Sequence, residues 1–255
     1  MYIDSHTHYD DRRFDIDRDI LLESLAESGV TAVVNAGSSM GSSHASIALA
    51  EKYHFIYAAV GVHPHEAVNM TDDDEGTIKK LCKHKKVVAI GEIGLDYHYD
   101  NSPRDVQKAR FAEQLALARD LDLPVIIHSR EAVSDTFDII KTSGVKKGVL
   151  HCYSGHLPMA EEYIDMGFYI GLGGVATYKN AVKTVEVAAG VPLDRLLIET
   201  DCPYLAPVPF RGKRNDSSKL PFIAEAIAKI KGIKKEEAAA ATVENAVRVF
   251  GLNIL

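Results

Sequence analysis

Val87-Val88-Ala89-Ile90-Gly91-Glu92-Ile93-Gly94-Leu95-Asp96 opens as a four-residue apolar run and breaks into glycine and carboxylate. A run so short and rich in branched residues predicts a strand buried on both faces, over residues 87–90. The same pattern recurs along the chain. Apolar runs at residues 2–3, 31–35, 56–60, 87–90, 124–127, 148–150, 168–171 and 195–198 make eight candidate strands. Helix-period segments lie between them, for example residues 18–28, 106–121 and 159–166. Repeated strand–helix units predict a parallel sheet. Eight of them in 255 residues predict an α/β fold, a (β/α)8 TIM barrel. An open doubly wound sheet has the same periodicity and is the alternative. Beyond residue 220 the chain reads as two or three helices, at 222–230, 235–241 and 243–250. No linker, repeat or low-complexity stretch interrupts residues 1–255, which are expected to form one domain.

Nearly every apolar run gives way to polar residues of one kind. His6 and His8 come after the first, His63 and His65 after the third, and Glu92 after the fourth. His128, Ser129 and Arg130 come after the fifth, His151 after the sixth, and Glu199 and Asp201 after the eighth. In a barrel the C-terminal strand ends converge on one mouth, where active sites sit. On a strand, residues two apart share a face, so His6 and His8 can hold one ion together. That pair alone is a common coincidence. Joined to imidazoles and carboxylates at the other strand ends, it is not. Mixed imidazole and carboxylate donors suit Zn2+, Mn2+ or Fe2+, and Mg2+ where carboxylate dominates. The donors are too many for one four-coordinate site. Two ions about 3.5–4 Å apart would use them, with Glu92, from the middle of the barrel order, as the bridge.

Six ordered motifs now stand together. They are His6-Thr7-His8, Gly61-Val62-His63-Pro64-His65, Gly91-Glu92-Ile93-Gly94-Leu95-Asp96, His128-Ser129-Arg130, His151-Cys152-Tyr153-Ser154-Gly155 and Glu199-Thr200-Asp201-Cys202-Pro203-Tyr204-Leu205. In this combination the chain resembles the TatD family of metal-dependent hydrolases, from its N-terminus to about Asn215, with a compatible helical tail. The resemblance implies a TIM barrel of the amidohydrolase type. It implies one metal held by His6, His8, Glu92 and Asp201, and a second held by Glu92, His128 and His151. It implies two divalent ions per chain, Mg2+ or Mn2+ in use and Zn2+ as a further candidate. The activity it implies is deoxyribonuclease, exonucleolytic from the 3′ end. Some relatives are assigned other hydrolyses, including removal of D-amino acids from tRNA. Many broader amidohydrolases bridge their metals with a modified lysine on the fourth strand; here that strand ends in Glu92.

The expected chemistry is attack of an activated water on phosphorus, with Asp201 as general base, Glu92 in the metal bridge and His63 touching a phosphate oxygen or the leaving group. Expected substrate contacts are His63, Arg130, Tyr97 and the cluster Arg211, Lys213 and Arg214, which suits phosphate. Tyr97 and Tyr99 offer faces for an unpaired base, or pack on the rim. His65 reads as a loop hydrogen-bonder, and Glu199 as a ligand or, two residues before Asp201, an anchor behind the ligands. Cys152 and Cys202, adjacent to ligands on a strand, are read as pointing away into the core. His44, His54, His84 and His156 read as surface residues.

Net charge is −7, so bulk attraction to a nucleic acid is excluded and any contact must be local or metal-borne. Three cysteines form no disulfide framework. With no basic and apolar leader and no membrane-length apolar run, a cytoplasmic protein is expected, without a membrane or an obligate protein partner. Nucleic acid, DNA or RNA, is the expected partner, as substrate. The alternatives are an esterase or aminoacyl-tRNA deacylase, a small-molecule phosphoesterase and a metal-binding protein without catalysis.

Overall fold

The computed structural model describes residues 1–253. Strands and helices alternate from the first residues: β1 (Tyr2–Thr7), α1 (Arg18–Ser24), β2 (Val30–Ala36), α2 (Met40–Lys52), β3 (Ile56–Val60), α3 (Asp72–Leu81), β4 (Val87–Asp96), α4 (Arg104–Leu121) and β5 (Val125–Arg130). They continue with α5 (Val133–Ser143), β6 (Gly148–Leu150), α6 (Leu157–Asp165), β7 (Phe168–Leu172), α7 (Val182–Gly190), β8 (Leu196–Ile198), α8 (Leu220–Lys231) and α9 (Lys235–Phe250). All strand pairs are parallel, in the order β1 to β8. The seam between the last strand and the first is closed just beyond β8. His8 N donates to Cys202 O at 2.9 Å, and Asp201 N donates to His6 O at 3.0 Å. This nearly closed barrel is the TIM barrel expected, not the open sheet.

Alternation sorts each strand into two cores. Residues such as Ile3, Ala32, Val34, Ala59, Ala89, Ile126, Val149 and Leu197 form one buried cluster together with Val243, Ala246, Val249 and Phe250 of α9. The C-terminal helix therefore shares the cluster of these strand residues. The complementary strand residues pack outward against the helices.

β1, β4 and β5 run further than the sequence reading, and the tail takes the two-helix form of its two alternatives. β1 runs to Thr7, because its polar residues Asp4, Ser5, His6 and Thr7 are buried in the sheet. β4 runs to Asp96, buried throughout. Its Gly94 has φ +145°, and a Cβ there would lie 1.9 Å from the His128 carbonyl oxygen, so only glycine lets β4 and β5 approach so closely. The tail is two helices. Thr242 does not break α9, because its hydroxyl donates back to the carbonyls of Ala238 and Ala239. α3 opens at Asp72, with Thr71 and Asp74 forming a capping box. Among the described residues no helix is long and apolar enough to cross a membrane.

Candidate metal centre

The strand ends deliver their donors to one cleft, lined by His8, His63, Glu92, His128, His151 and Asp201 among others. Glu92 stands at its centre. Its Oε2 lies 3.3 Å from both His6 Nε2 and His8 Nε2. Its Oε1 lies 2.9 Å from His151 Nε2, 3.0 Å from His128 Nδ1 and 3.5 Å from His63 Nε2. Asp201 Oδ1 joins the first group, 3.7 Å from His6 Nε2 and 3.6 Å from His8 Nε2. His6 Nε2 and His8 Nε2 are 3.0 Å apart, and His128 Nδ1 and His151 Nε2 are 3.3 Å apart. One carboxylate thus faces imidazoles with each oxygen, and the two sets adjoin at His6 and His151, which also group with Glu92.

These spacings fit metal ions. Ligands bound at about 2.0–2.2 Å in a tetrahedron or octahedron stand roughly 3–3.5 Å from one another. The tautomers point the same way. His8 Nδ1 lies 3.0 Å from the Ala36 carbonyl oxygen, a pure acceptor, so Nδ1 carries the proton and the Nε2 lone pair faces Glu92. His128 Nε2 donates to Asp96 Oδ2 at 3.1 Å, which leaves the Nδ1 lone pair facing Glu92 Oε1. Lone pairs pointed at a carboxylate repel unless a cation lies between them. Electrostatics agree. Burial pushes the pKa of His8, His128 and His151 down, but the adjoining carboxylates outweigh it and hold all three above the ordinary histidine value. Burial likewise pushes Glu92 and Asp201 up, yet the surrounding imidazoles bring both below the usual carboxylate range. His6 and His63, where burial wins, are lowered. The centre demands positive charge, which protons on these imidazoles or a bound metal would supply.

Behind the donors stand further carboxylates. Asp96 accepts from His128 and from His65 Nε2 at 3.0 Å, and caps the following turn by accepting from the backbone N–H of His98 and Tyr99. Glu199 is fully buried, accepts from the Cys152 N–H and Ser5 Oγ, and lies 3.5 Å from His151 Nδ1. That contact is not aligned as a hydrogen bond, and the His151 Nδ1 is otherwise unpartnered. His6 and His151 stack at 3.9 Å between ring centroids.

The six expected metal donors, with His63, meet here. The other expected contacts divide. Arg130 lines the cleft. Tyr97 does not: its hydroxyl donates to Asp135 Oδ2 at 2.5 Å, and the Arg104 guanidinium covers its ring at 4.3 Å. Tyr99, two residues on, lines the cleft instead. Arg211, Lys213 and Arg214 are not brought to the lining. Arg211 lies over the Tyr178 ring at 4.4 Å, and Arg214 forks onto Asp17 at 2.7 and 2.6 Å, because the loop folds back on the barrel's flank. Cys202 is buried as expected, but Cys152 lines the cleft. Its φ of +44° breaks strand alternation and turns the side chain inward. Asp96 is the functional residue that sequence reasoning misses. Its signal is parity: four residues beyond Glu92 on one strand, it shares that face.

A family model described as TatD related DNase matches residues 3–251. The chain belongs to the TatD family. It is 46% identical over 255 residues to the protein named uncharacterized metal-dependent hydrolase YabD of Bacillus subtilis, covering 99% of this chain and 100% of that one. It is 35% identical to the 3′-5′ ssDNA/RNA exonuclease TatD of Erwinia tasmaniensis, covering 94% and 96% of the two chains. The crystal structure of the TatD homologue YJJV of Escherichia coli superposes with a TM-score of 0.93 at 33% identity, covering 99% and 98%. This TatD protein is a metal-dependent hydrolase acting on ester bonds, and its His, Glu and Asp cluster is the candidate centre.

Proposed function

We propose that this protein is a two-metal phosphodiesterase that removes nucleotides from the 3′ end of unpaired DNA. The observation that carries this is Glu92, whose Oε2 faces His6 and His8 while its Oε1 faces His128 and His151. His6, His8, Glu92 and Asp201 would hold one divalent ion; Glu92, His128 and His151 would hold the other. Ions bound there supply Lewis acidity, lowering the pKa of water and neutralising charge on phosphate.

The chain's own residues do the rest. Asp201, held below the usual carboxylate range, stays ionised and is placed to take the proton from the water attacking phosphorus. His63 stands at the edge of the Glu92 Oε1 cluster, 3.5 Å away, within reach of a phosphate oxygen or the departing 3′-oxygen. Its Nδ1 accepts from the His65 N–H, which fixes the ring and leaves Nε2 to donate into the cleft. Asp96 keeps His128 aimed, and Glu199 stands behind His151 at 3.5 Å. Side chains of Asp201, His8 and His128 remain 12–18% exposed to the cleft, which suits turnover rather than metal storage. The name of the Erwinia relative supports a single-stranded substrate and 3′ polarity.

The test is a 5′-labelled single-stranded oligonucleotide incubated with metal-stripped protein, with Mg2+ or Mn2+ added back. The expected product is a ladder shortening from the 3′ end, absent with Asp201→Asn. Intact oligonucleotide in the presence of bound metal would transfer the same centre to carboxylic esters or aminoacyl-tRNA.

A further inference from the structure

Two tyrosines face each other across the mouth. Tyr204 lies beyond β8, Tyr99 beyond β4, and in a ring of eight strands those positions are diametrically opposed. Both line the cleft, and both are exposed, at 45% for Tyr204 and 55% for Tyr99. An exposed ring is ordinary by itself; two that border one cleft, on either side of its buried polar centre, are not scattered at random.

Each ring is built in the same way. An arginine lies over one face: Arg13 at 4.1 Å from the Tyr204 centroid, Arg130 at 4.8 Å from that of Tyr99. Each is set nearly perpendicular to a histidine of the centre: Tyr204 to His8 at 6.5 Å, Tyr99 to His65 at 5.4 Å. Backbone contacts fix their positions. Tyr99 N donates to Asp96 Oδ1, and Tyr204 N to the Asp201 carbonyl oxygen, so each platform is tied to a residue of the metal site. The backing arginines are not equivalent. Arg13 forks onto Asp11 at 3.0 and 2.9 Å, so its charge is balanced and it acts as a stiffener. Among the described residues Arg130 enters no ion pair, and it is the one arginine or lysine in the lining.

We propose that Tyr204 and Tyr99 are base-stacking platforms that hold the two nucleotides flanking the scissile phosphate, one on each side of the metal centre, with Arg130 taking a neighbouring phosphate. The inference rests on the phosphodiesterase reading and narrows its substrate. Every base offers a π-face, so the platforms are blind to sequence, but a base inside a duplex has both faces occupied. The substrate class is therefore an unpaired strand of at least two nucleotides, not a mononucleotide or a simple phosphate ester.

The rings are on the surface, so replacing them does not threaten the core. The test is binding of a fluorescein-labelled thymidine hexanucleotide, read by anisotropy with Ca2+ in place of Mg2+, beside its cleavage with Mg2+. Tyr204→Ala and Tyr99→Ala should each weaken binding by about five- to 150-fold, the range for one lost stack, while Tyr→Phe at either position retains it. Hexanucleotides lacking one base should weaken binding to the wild type by a similar factor, and should cost the matching alanine variant nothing further. Hexanucleotide cleavage with both alanine variants indistinguishable from wild type overturns the platforms and leaves the phosphodiesterase reading intact. Ring-dependent binding without cleavage keeps the platforms and removes that reading. Neither binding nor cleavage by the wild type overturns both.

Discussion

At the scale of single residues, the centre depends on how each carboxylate is shared. Glu92 serves both clusters, so Glu92→Gln should weaken both metal-binding steps, by more than the about 10–100-fold typical of a partner behind the ligands. Of the metal donors, Asp96 touches His128 alone, besides His65 and the backbone of His98 and Tyr99. Asp96→Asn should therefore weaken one step by about 10–100-fold and spare the other, as read by calorimetric titration of the stripped protein. Equal loss in both steps would contradict the division of Glu92's oxygens. The donors themselves were legible in sequence because each ends an apolar run. Tyr204 with Arg13 was not, because residues from opposite ends of the chain meet only at the closed seam. The Arg211–Arg214 cluster stands outside the lining for a physical reason: charge density in a loop says nothing of where the loop folds, and Asp17 captures Arg214.

At the scale of elements, two packing contacts carry predictions. Gly171 on β7 leaves room for Glu199: a Cβ there would lie 2.5 Å from Glu199 Oε2 and 3.2 Å from His151 Cα. Gly171→Ala should cost roughly 1–3 kcal/mol of stability by overpacking, and should displace Glu199 enough to weaken metal binding. A variant with lowered stability and unchanged metal affinity would detach Glu199 from the centre. The second contact is α9 in the interior cluster. Phe250→Ala should cost about 3–5 kcal/mol in urea unfolding, while the folded protein keeps its kcat, because Phe250 belongs to that cluster and not to the cleft lining. The strands with clean apolar runs were legible from periodicity. The ends of β1 and β4 were not, because there the buried face is polar and its partners come from other strands.

At the scale of the whole molecule, the sign of the charge matters. The protein carries −7, and its cleft lining contains one arginine. Binding of single-stranded DNA should therefore release few counterions, with a log–log salt slope near about −0.7, against roughly −4 for six phosphate contacts. A steep slope would place the strand outside the cleft. Metal affinity should also depend on pH. His8, His128 and His151 titrate above the ordinary histidine value, and a proton must leave before a metal binds. Affinity should accordingly fall as pH drops, beginning above the usual histidine range, with protons released on binding as measured by titration in buffers of different ionisation enthalpy. The most direct test of the two-metal centre tracks the rate of single-stranded DNA hydrolysis as Mn2+ is added in measured equivalents to stripped protein. The account predicts little hydrolysis through the first equivalent, a rise through the second and a plateau at two ions per chain. A plateau after one equivalent would contradict the shared role of Glu92 in catalysis.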